Sequence, residues 1–140
     1  MSVFVVDSSV VVKWFVPEVY EAEALRVRDG GTPMHAPNFL DVEVGNILWK
    51  KIVRSELTRA AADDVLAQLP RQAITRHDSA GFLNEAFEIA CRTGRTVYDC
   101  LYLALAVQLG GRMVTADEKF VNSLAATPWA ASVLRLQDVP

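Results

Sequence analysis

The chain has 140 residues, of which 51% are hydrophobic and 22% charged, with a formal net charge of −3. This length and composition predict a single compact domain over residues 1–140 and exclude a disordered chain. No apolar run reaches the roughly 18 to 20 residues of a membrane span, and the start lacks the basic flank and cleavage site of a signal peptide, so we expect a cytoplasmic protein without a membrane partner.

The N-terminal third predicts a strand, two helices and a second strand. Residues 3–6 form a continuous apolar run of the kind that parallel strands bury. Ser8 or Ser9 can cap the helix that follows, and a proline ends it. The next helix is predicted over 18–28 and the next strand over 34–36.

The middle third predicts three helices and one strand. Apolar residues recur at helical spacing over 38–52, and a threonine caps a further helix over 58–69. Residues 73–75 have the pattern of a short strand. A helix over 83–94 ends at a glycine.

The C-terminal third begins with a strongly apolar helix over 96–109. A strand over 113–115, a short helix over 117–124 and a last strand over 133–136 follow. Strands separated by helical segments of this length imply βαβ crossovers, and hence a parallel sheet covered by helices on both faces. In open sheets of this kind ligands bind beyond the carboxyl ends of the strands.

Four acidic residues lie beside segments that are otherwise apolar: Asp7, Glu43, Asp99 and Asp117. Asp7 and Asp117 follow predicted strands, whereas Glu43 and Asp99 fall in early helix turns. Carboxylates of this kind bind Mg²⁺ or Mn²⁺, which prefer hard oxygen ligands. Collecting them without a cation is costly, because two like charges about 6 Å apart repel by roughly 3 kcal/mol at an effective dielectric near 20. Helix capping is the alternative, and it is strongest for Asp99, because residues 96–99 fit a capping box.

Four short motifs carry a resemblance to a known family. They are VVDSSVVVKWF at the start, EVGN in the third helix, TVYDCLYLALA in the long apolar helix and VTADEKF near the end. In this order they resemble the PIN-domain ribonucleases, in particular the VapC-type toxins of bacterial toxin-antitoxin pairs. The likeness extends from Val3 to the final strand.

The resemblance implies an α/β fold, a three-layer α/β/α sandwich with a central parallel sheet, and a Mg²⁺- or Mn²⁺-dependent endoribonuclease. By motif, the metal-binding and catalytic acids would be Asp7, Glu43, Asp99 and Asp117. Residues matched to a role in orienting a carboxylate or a water are Ser9, Asn46 and Thr115. The implied partners are an RNA substrate, a cognate antitoxin protein and a second copy of the chain in a homodimer.

Two other functions stay open on the residues alone. A phosphatase of the haloacid dehalogenase type would use Asp7 as a nucleophile. That chemistry requires a second acid two residues later, where this chain has Ser9. A non-catalytic, Mg²⁺-binding signalling module would carry a lysine just after a late strand, where only the more distant Lys119 is present. Hydrolysis by a metal-activated water does not need the RNA 2′-hydroxyl, so RNA as substrate follows from the resemblance alone.

The acidic balance of the chain argues against a general nucleic-acid binder, which usually carries a basic face. Attraction for a polyanion would have to come from bound cations and from local basic clusters. The candidates are Lys50, Lys51 and Arg54, and also Arg92 and Arg95. Lys13 matches a lysine of the family, with no role that the sequence explains.

The tryptophans are assigned to core or interface packing in preference to base stacking, and the histidines to structural or surface roles. Trp14 and Trp49 lie on amphipathic helices beside apolar neighbours, and exposed Trp14 and Phe15 would supply the homodimer contact. Tyr98 is predicted in the core. The two histidines, at 35 and 77, have no partner at ligand or catalytic spacing.

Overall fold

In the computed structural model, residues 2–140 are described. The strands are β1 (Phe4–Val6), β2 (Met34–Pro37), β3 (Ile74–His77), β4 (Arg112–Thr115) and β5 (Val133–Arg135). The described residues also form seven α-helices: α1 (Ser8–Val12), α2 (Glu21–Asp29), α3 (Leu40–Val53), α4 (Arg59–Gln68), α5 (Leu83–Thr93), α6 (Val97–Leu109) and α7 (Glu118–Ser123). Short 3-10 turns lie at Leu69–Arg71, Ser79–Phe82, Ala130–Ser132 and Leu136–Asp138.

The five strands form one parallel sheet in the order β3-β2-β1-β4-β5. Helix α6 packs on β1, β2 and β4 and is covered by α5, while α1 packs against α3 and α3 against α4. Because α6 is buried between the sheet and α5, its sequence is apolar on nearly every side, with residues 100–106 all buried. The predicted α/β/α sandwich is confirmed. No helix within residues 2–140 is long and apolar enough to cross a bilayer.

The strand order creates a switch point beside β1. The chain runs outward from β1 through β2 to β3, and then returns to the other side of β1 to form β4 and β5. In open parallel sheets, the crevice at the carboxyl ends of the two strands where the order reverses is the usual ligand site. Asp7 directly follows β1, and Asp117 lies two residues beyond β4.

The observed helix α2 begins at Glu21, three residues later than the helix predicted over 18–28. The residue before it, Tyr20, has a backbone φ of 66°, in the left-handed region that a right-handed helix does not pass through. Residues 18–20 therefore form a turn. Predicted and observed strands otherwise agree to within one or two residues.

A partly buried ion triad fixes this turn against α3. Glu18 accepts from Lys13 Nζ at 3.0 Å and from Lys51 Nζ at 2.6 Å, one lysine on each carboxylate oxygen. Burial disfavours the Glu18 carboxylate, but the two lysines outweigh it and lower its pKa. Lys13, only 7% exposed, thereby acquires a structural role. Lys51 is occupied here, so it is not a free cation for a polyanion.

Two predictions about aromatic residues are wrong, namely the exposed dimer contact through Trp14 and the buried position of Tyr98. Trp14 is 7% exposed, and its Nε1 donates to the Ala24 carbonyl at 2.8 Å, so it belongs to the core and cannot form a dimer contact. Trp49 and Tyr98, in contrast, are 58% and 62% exposed. Phe15 is partly buried against the core.

The two histidines do have a partner, which is each other. His35 on β2 and His77 on β3 approach to 2.8 Å between Nδ1 and Nε2, because the two strands pair in parallel. Burial, together with the neighbouring His77 ring, lowers the pKa of His35. The pairing of the two rings fits the structural role expected for them, and the sequence spacing did not show it.

The ion triad gives a stability prediction. Glu18→Gln leaves Lys13 buried without its counter-charge, and we expect it to lower the free energy of unfolding by about 1 to 3 kcal/mol, measured by urea denaturation. Asp63→Asn, which breaks an exposed pair with Arg59 on α4, is the matched control and should change stability much less. Equal losses in the two variants would contradict a structural role for the triad.

Candidate active site

Asp7 is held rigidly at the switch point. It ends β1 and caps α1, and its carboxylate is 8% exposed. Oδ1 accepts from Ser9 Oγ at 2.6 Å and from the Val10 amide at 3.2 Å, and Oδ2 accepts from Thr115 Oγ1 at 2.5 Å. Because Thr115 is the last residue of β4, this carboxylate ties the ends of the two central strands together.

The charge on Asp7 is nevertheless costly. Burial raises the pKa of Asp7 to about 6, and the neighbouring Glu43 carboxylate adds to the increase. The hydrogen bonds from Ser9, Thr115 and Val10 oppose it without cancelling it. A nearby cation would remove this penalty, since it favours the ionised form.

Glu43, in the first turn of α3, is positioned by two hydroxyls. Its Oε1 accepts from Ser8 Oγ at 2.5 Å and from the Tyr102 hydroxyl at 2.8 Å. Burial and the Glu43 charge raise the pKa of Tyr102, so this phenol remains a proton donor. The other oxygen of Glu43 has neither of these two bonds.

Asp99 lies in the first turn of α6, where Thr96 is the N-cap. The Thr96 hydroxyl accepts from the Asp99 amide at 3.2 Å, as the capping interpretation requires. Burial raises the pKa of the Asp99 carboxyl, and the charge of Asp117 raises it further, although Thr96 and Arg95 act in the opposite direction. Capping and a role in the acidic site are therefore compatible.

Asp117 caps α7 and also faces Asp99. Its Oδ1 accepts from the Phe120 amide at 3.1 Å, and its Oδ2 lies 3.3 Å from an Arg95 guanidinium nitrogen. That guanidinium stands over the Phe120 ring at 5.9 Å from its centroid. The site thus contains one cation of its own.

Ser9 and Thr115 connect the two strand ends through their hydroxyls. Besides donating to Asp7, Ser9 Oγ accepts from the Ala116 amide at 3.2 Å, and Thr115 Oγ1 accepts from the Asp117 amide at 3.1 Å. The third residue assigned to this role, Asn46, lies one turn after Glu43 on α3. It is exposed on α3 and lines a cavity beside Glu43.

The four acids are arranged as two pairs, Asp7 with Glu43 and Asp99 with Asp117, each close enough for one charge to raise its neighbour's pKa. Within residues 2–140, no three Asp, Glu, His or Cys side chains form a ready-made metal cage. The donor set still suits Mg²⁺ or Mn²⁺, because every donor is a carboxylate oxygen and the like charges in both pairs call for a counter-ion.

Three residues of the site were not found from the sequence: Ser8, Tyr102 and Arg95. Ser8 follows Asp7 directly, and Tyr102 lies three residues after Asp99, which puts the two on one helix face. The spacing therefore contained a signal for Tyr102. In the sequence, Arg95 belongs to a basic cluster with Arg92, and no spacing pairs it with Asp117.

The sequence is similar to that of a named ribonuclease. The sequence model of the PIN domain matches residues 4–123. Ribonuclease VapC3 of Pyrobaculum aerophilum is 34% identical over 124 residues, which cover 87% of this chain and 95% of that protein.

Two solved structures share the fold. The crystal structure of PAE2754 from Pyrobaculum aerophilum has a TM-score of 0.71 at 20% identity, covering 97% of this chain and 90% of that one. A toxin-antitoxin complex from Klebsiella pneumoniae has a TM-score of 0.63 at 14% identity, covering 96% of this chain and 98% of that one. At these identities, the two structures support the architecture only. The match over residues 4–123 and the VapC3 relative confirm what the four motifs predicted, namely that this chain belongs to the PIN domain family.

Proposed function

We propose that this chain is an endoribonuclease that hydrolyses RNA with the help of Mg²⁺ or Mn²⁺, and that it is the toxin of a toxin-antitoxin pair. The main support is the buried Asp7 carboxylate, which Ser9 and Thr115 fix at the switch point of the sheet, with Glu43 beside it. The relative from Pyrobaculum aerophilum, named a ribonuclease, supports the same activity.

The metal would be held by Asp7, Asp99 and Asp117, with Glu43 as a further ligand or as the group that orients the attacking water. A divalent ion supplies Lewis acidity, which activates water and stabilises charge on the phosphate. The penalties of burial and repulsion at Asp7 and Asp99 support this assignment, because a dication would remove both.

The protein itself orients the carboxylates. Two hydroxyls and an amide hold Asp7, so its oxygens need no rearrangement when substrate arrives. Ser8 and Tyr102 hold Oε1 of Glu43, and the other oxygen can accept a hydrogen bond from the water. If Asp117 held the metal, its contact with Arg95 at 3.3 Å would weaken, and the guanidinium would be available to a phosphate oxygen.

An antitoxin protein is the proposed inhibitor, covering the acidic crevice. The fold neighbour from Klebsiella pneumoniae is described as a toxin-antitoxin complex, and this supports the proposal by analogy of architecture. The phosphatase and signalling alternatives gain no support. The residue two beyond Asp7 is a serine that donates to it, and Lys119 is exposed on α7.

A homodimer is also proposed, with a contact different from the one expected on the first helix. Leu83 and Phe87, 48% and 60% exposed, lie one turn apart on α5. We expect light scattering at micromolar concentration to give a dimer mass for the wild type and a monomer mass for Phe87→Glu. A wild-type monomer would contradict the proposal.

Substitution of the acids tests the activity. Asp7→Ala and Asp99→Asn should each reduce Mg²⁺-dependent cleavage of single-stranded RNA by at least about a hundredfold, since each removes a metal ligand worth several kcal/mol of transition-state stabilisation. Thr96 still caps α6 in Asp99→Asn, so its circular dichroism should match the wild type. Asp63→Asn, an exposed acid on α4, serves as the control. Full cleavage by both site variants would refute the proposal.

The raised pKa of Asp7 predicts how stability depends on pH and metal. The folded protein favours the protonated carboxyl, so stability from this group is complete below its ordinary pKa of 3.8 and is lost as the pH rises through about 6. The loss is at most about 3 kcal/mol, at 1.36 kcal/mol per pKa unit. In chelator, thermal unfolding should show this loss in the wild type and not in Asp7→Asn.

Adding Mg²⁺ should then stabilise the wild type above pH about 6 far more than Asp7→Asn, since only an ionised Asp7 binds the cation well. The readout is again the unfolding temperature, so it does not depend on cleavage. Equal stabilisation of the two proteins by Mg²⁺ would remove Asp7 from the metal site.

A further inference from the structure

A small cavity opens directly beside the acidic site. It has a volume of about 270 Å³ and is lined by Phe39, Val42, Glu43, Asn46 and Tyr98. Two of its wall residues precede acids in the sequence, Val42 before Glu43 and Tyr98 before Asp99. The cavity therefore borders the Asp7 and Glu43 pair directly through Glu43, and its Tyr98 wall is one residue from Asp99.

The apolar wall is built around a stacked aromatic pair. The rings of Phe39 and Tyr98 have centroids 5.4 Å apart and planes inclined by 24°. Tyr98 nevertheless remains 62% exposed, and Val42 is 71% exposed. One side of Tyr98 is thus supported by Phe39, while much of the rest of the side chain is open to solvent.

The same aromatic cluster is connected to the acids. Phe39 also contacts the Tyr102 ring, at 5.9 Å between centroids, and the Tyr102 hydroxyl donates to Glu43. A planar group resting on Tyr98 would therefore be held at a fixed position relative to Glu43. The cavity lies near the lower end of the roughly 300 to 1,000 Å³ of ligand sites, which leaves room for a single ring system.

We infer that this cavity is a nucleobase subsite, in which one unstacked base of the RNA strand stacks on Tyr98 next to the scissile phosphate. The inference rests on the proposed ribonuclease function and specifies its substrate as single-stranded, because a base inside a duplex has no free face to stack on an aromatic side chain. Asn46, at the exposed rim, carries both a donor and an acceptor for the edge of the base.

The test is a double-mutant cycle that combines removal of the Tyr98 side chain with removal of one base from the RNA substrate. Tyr98→Ala should lower kcat/KM for a single-stranded RNA oligonucleotide by about 5- to 150-fold, since a stacked base contributes about 1 to 3 kcal/mol, whereas Tyr98→Phe keeps the ring and should retain activity. On an oligonucleotide that is abasic at the nucleotide flanking the cleaved bond, wild type and Tyr98→Ala should be equally slow. Losses that multiply would contradict the subsite.

A binding measurement separates this inference from the ribonuclease proposal. Tyr98→Trp adds a fluorophore to the cavity wall, and its signal is the difference from the wild type, which contains three tryptophans. We expect a single-stranded oligonucleotide in chelator to quench this difference signal, with the abasic oligonucleotide quenching it less. Quenching without cleavage by the metal-loaded wild type would refute the ribonuclease and keep the base site. Cleavage that is unchanged in Tyr98→Ala would refute the base site alone. If the substitution abolished only antitoxin binding, the cavity would be a protein-binding site instead.

Discussion

The buried Asp7 carboxylate, bonded to hydroxyls from two strand ends, is the interaction on which the rest of the site depends. Ser9 and Thr115 both donate to it, and each also accepts an amide from the segment after β4. Hydrogen bonds therefore connect the ends of β1 and β4 at the point where the parallel pairing of the two strands stops. An apolar residue at position 7 would leave two buried hydroxyls without their acceptor. An acceptor at position 7 is therefore a structural necessity, whereas the negative charge on it is costly to the fold and serves the chemistry.

That charge would strain the fold if it stood alone, and the protein balances it only in part. The positive charge of Arg95 offsets the negative charges of Asp99 and Asp117, whereas only neutral hydrogen-bond donors hold Asp7 and Glu43. Hydroxyls stabilise a carboxylate without cancelling its field, so one half of the site keeps an excess of negative charge. This asymmetry makes Asp7 and Glu43 the pair with the greater need for a dication. The partial balance also explains why the acids are compatible with a folded chain before any metal binds.

The sequence predicted the architecture well, because β-branched runs and helical spacing are local signals that the βαβ rules convert into a parallel sheet. It also predicted that Asp7 and Asp117 would both follow strands that end at one edge of the sheet, and they do. The sequence did not predict side-chain contacts between segments that are distant along the chain. His35 and His77 pair only because β2 and β3 are neighbours, and Arg95 is separated in sequence from Asp117 by helix α6 and strand β4. Tyr98 was assigned to the core because its helix is apolar, although its position in the first turn exposes it.

Helix starts explain how acids and cavity come to share one location. In an α-helix consecutive residues point about 100° apart, so Val42 and Glu43, or Tyr98 and Asp99, present different faces at nearly the same height. With both first turns directed at the sheet's carboxyl edge, one face supplies a carboxylate and the adjacent face supplies an apolar wall. Tyr102, one turn further along α6, then joins the two through its ring contact with Phe39 and its bond to Glu43. A base bound on Tyr98 and a phosphate bound by the acids would thus be positioned by the same two helix turns. Substrate selection and catalysis in this chain would therefore change together when either turn is altered.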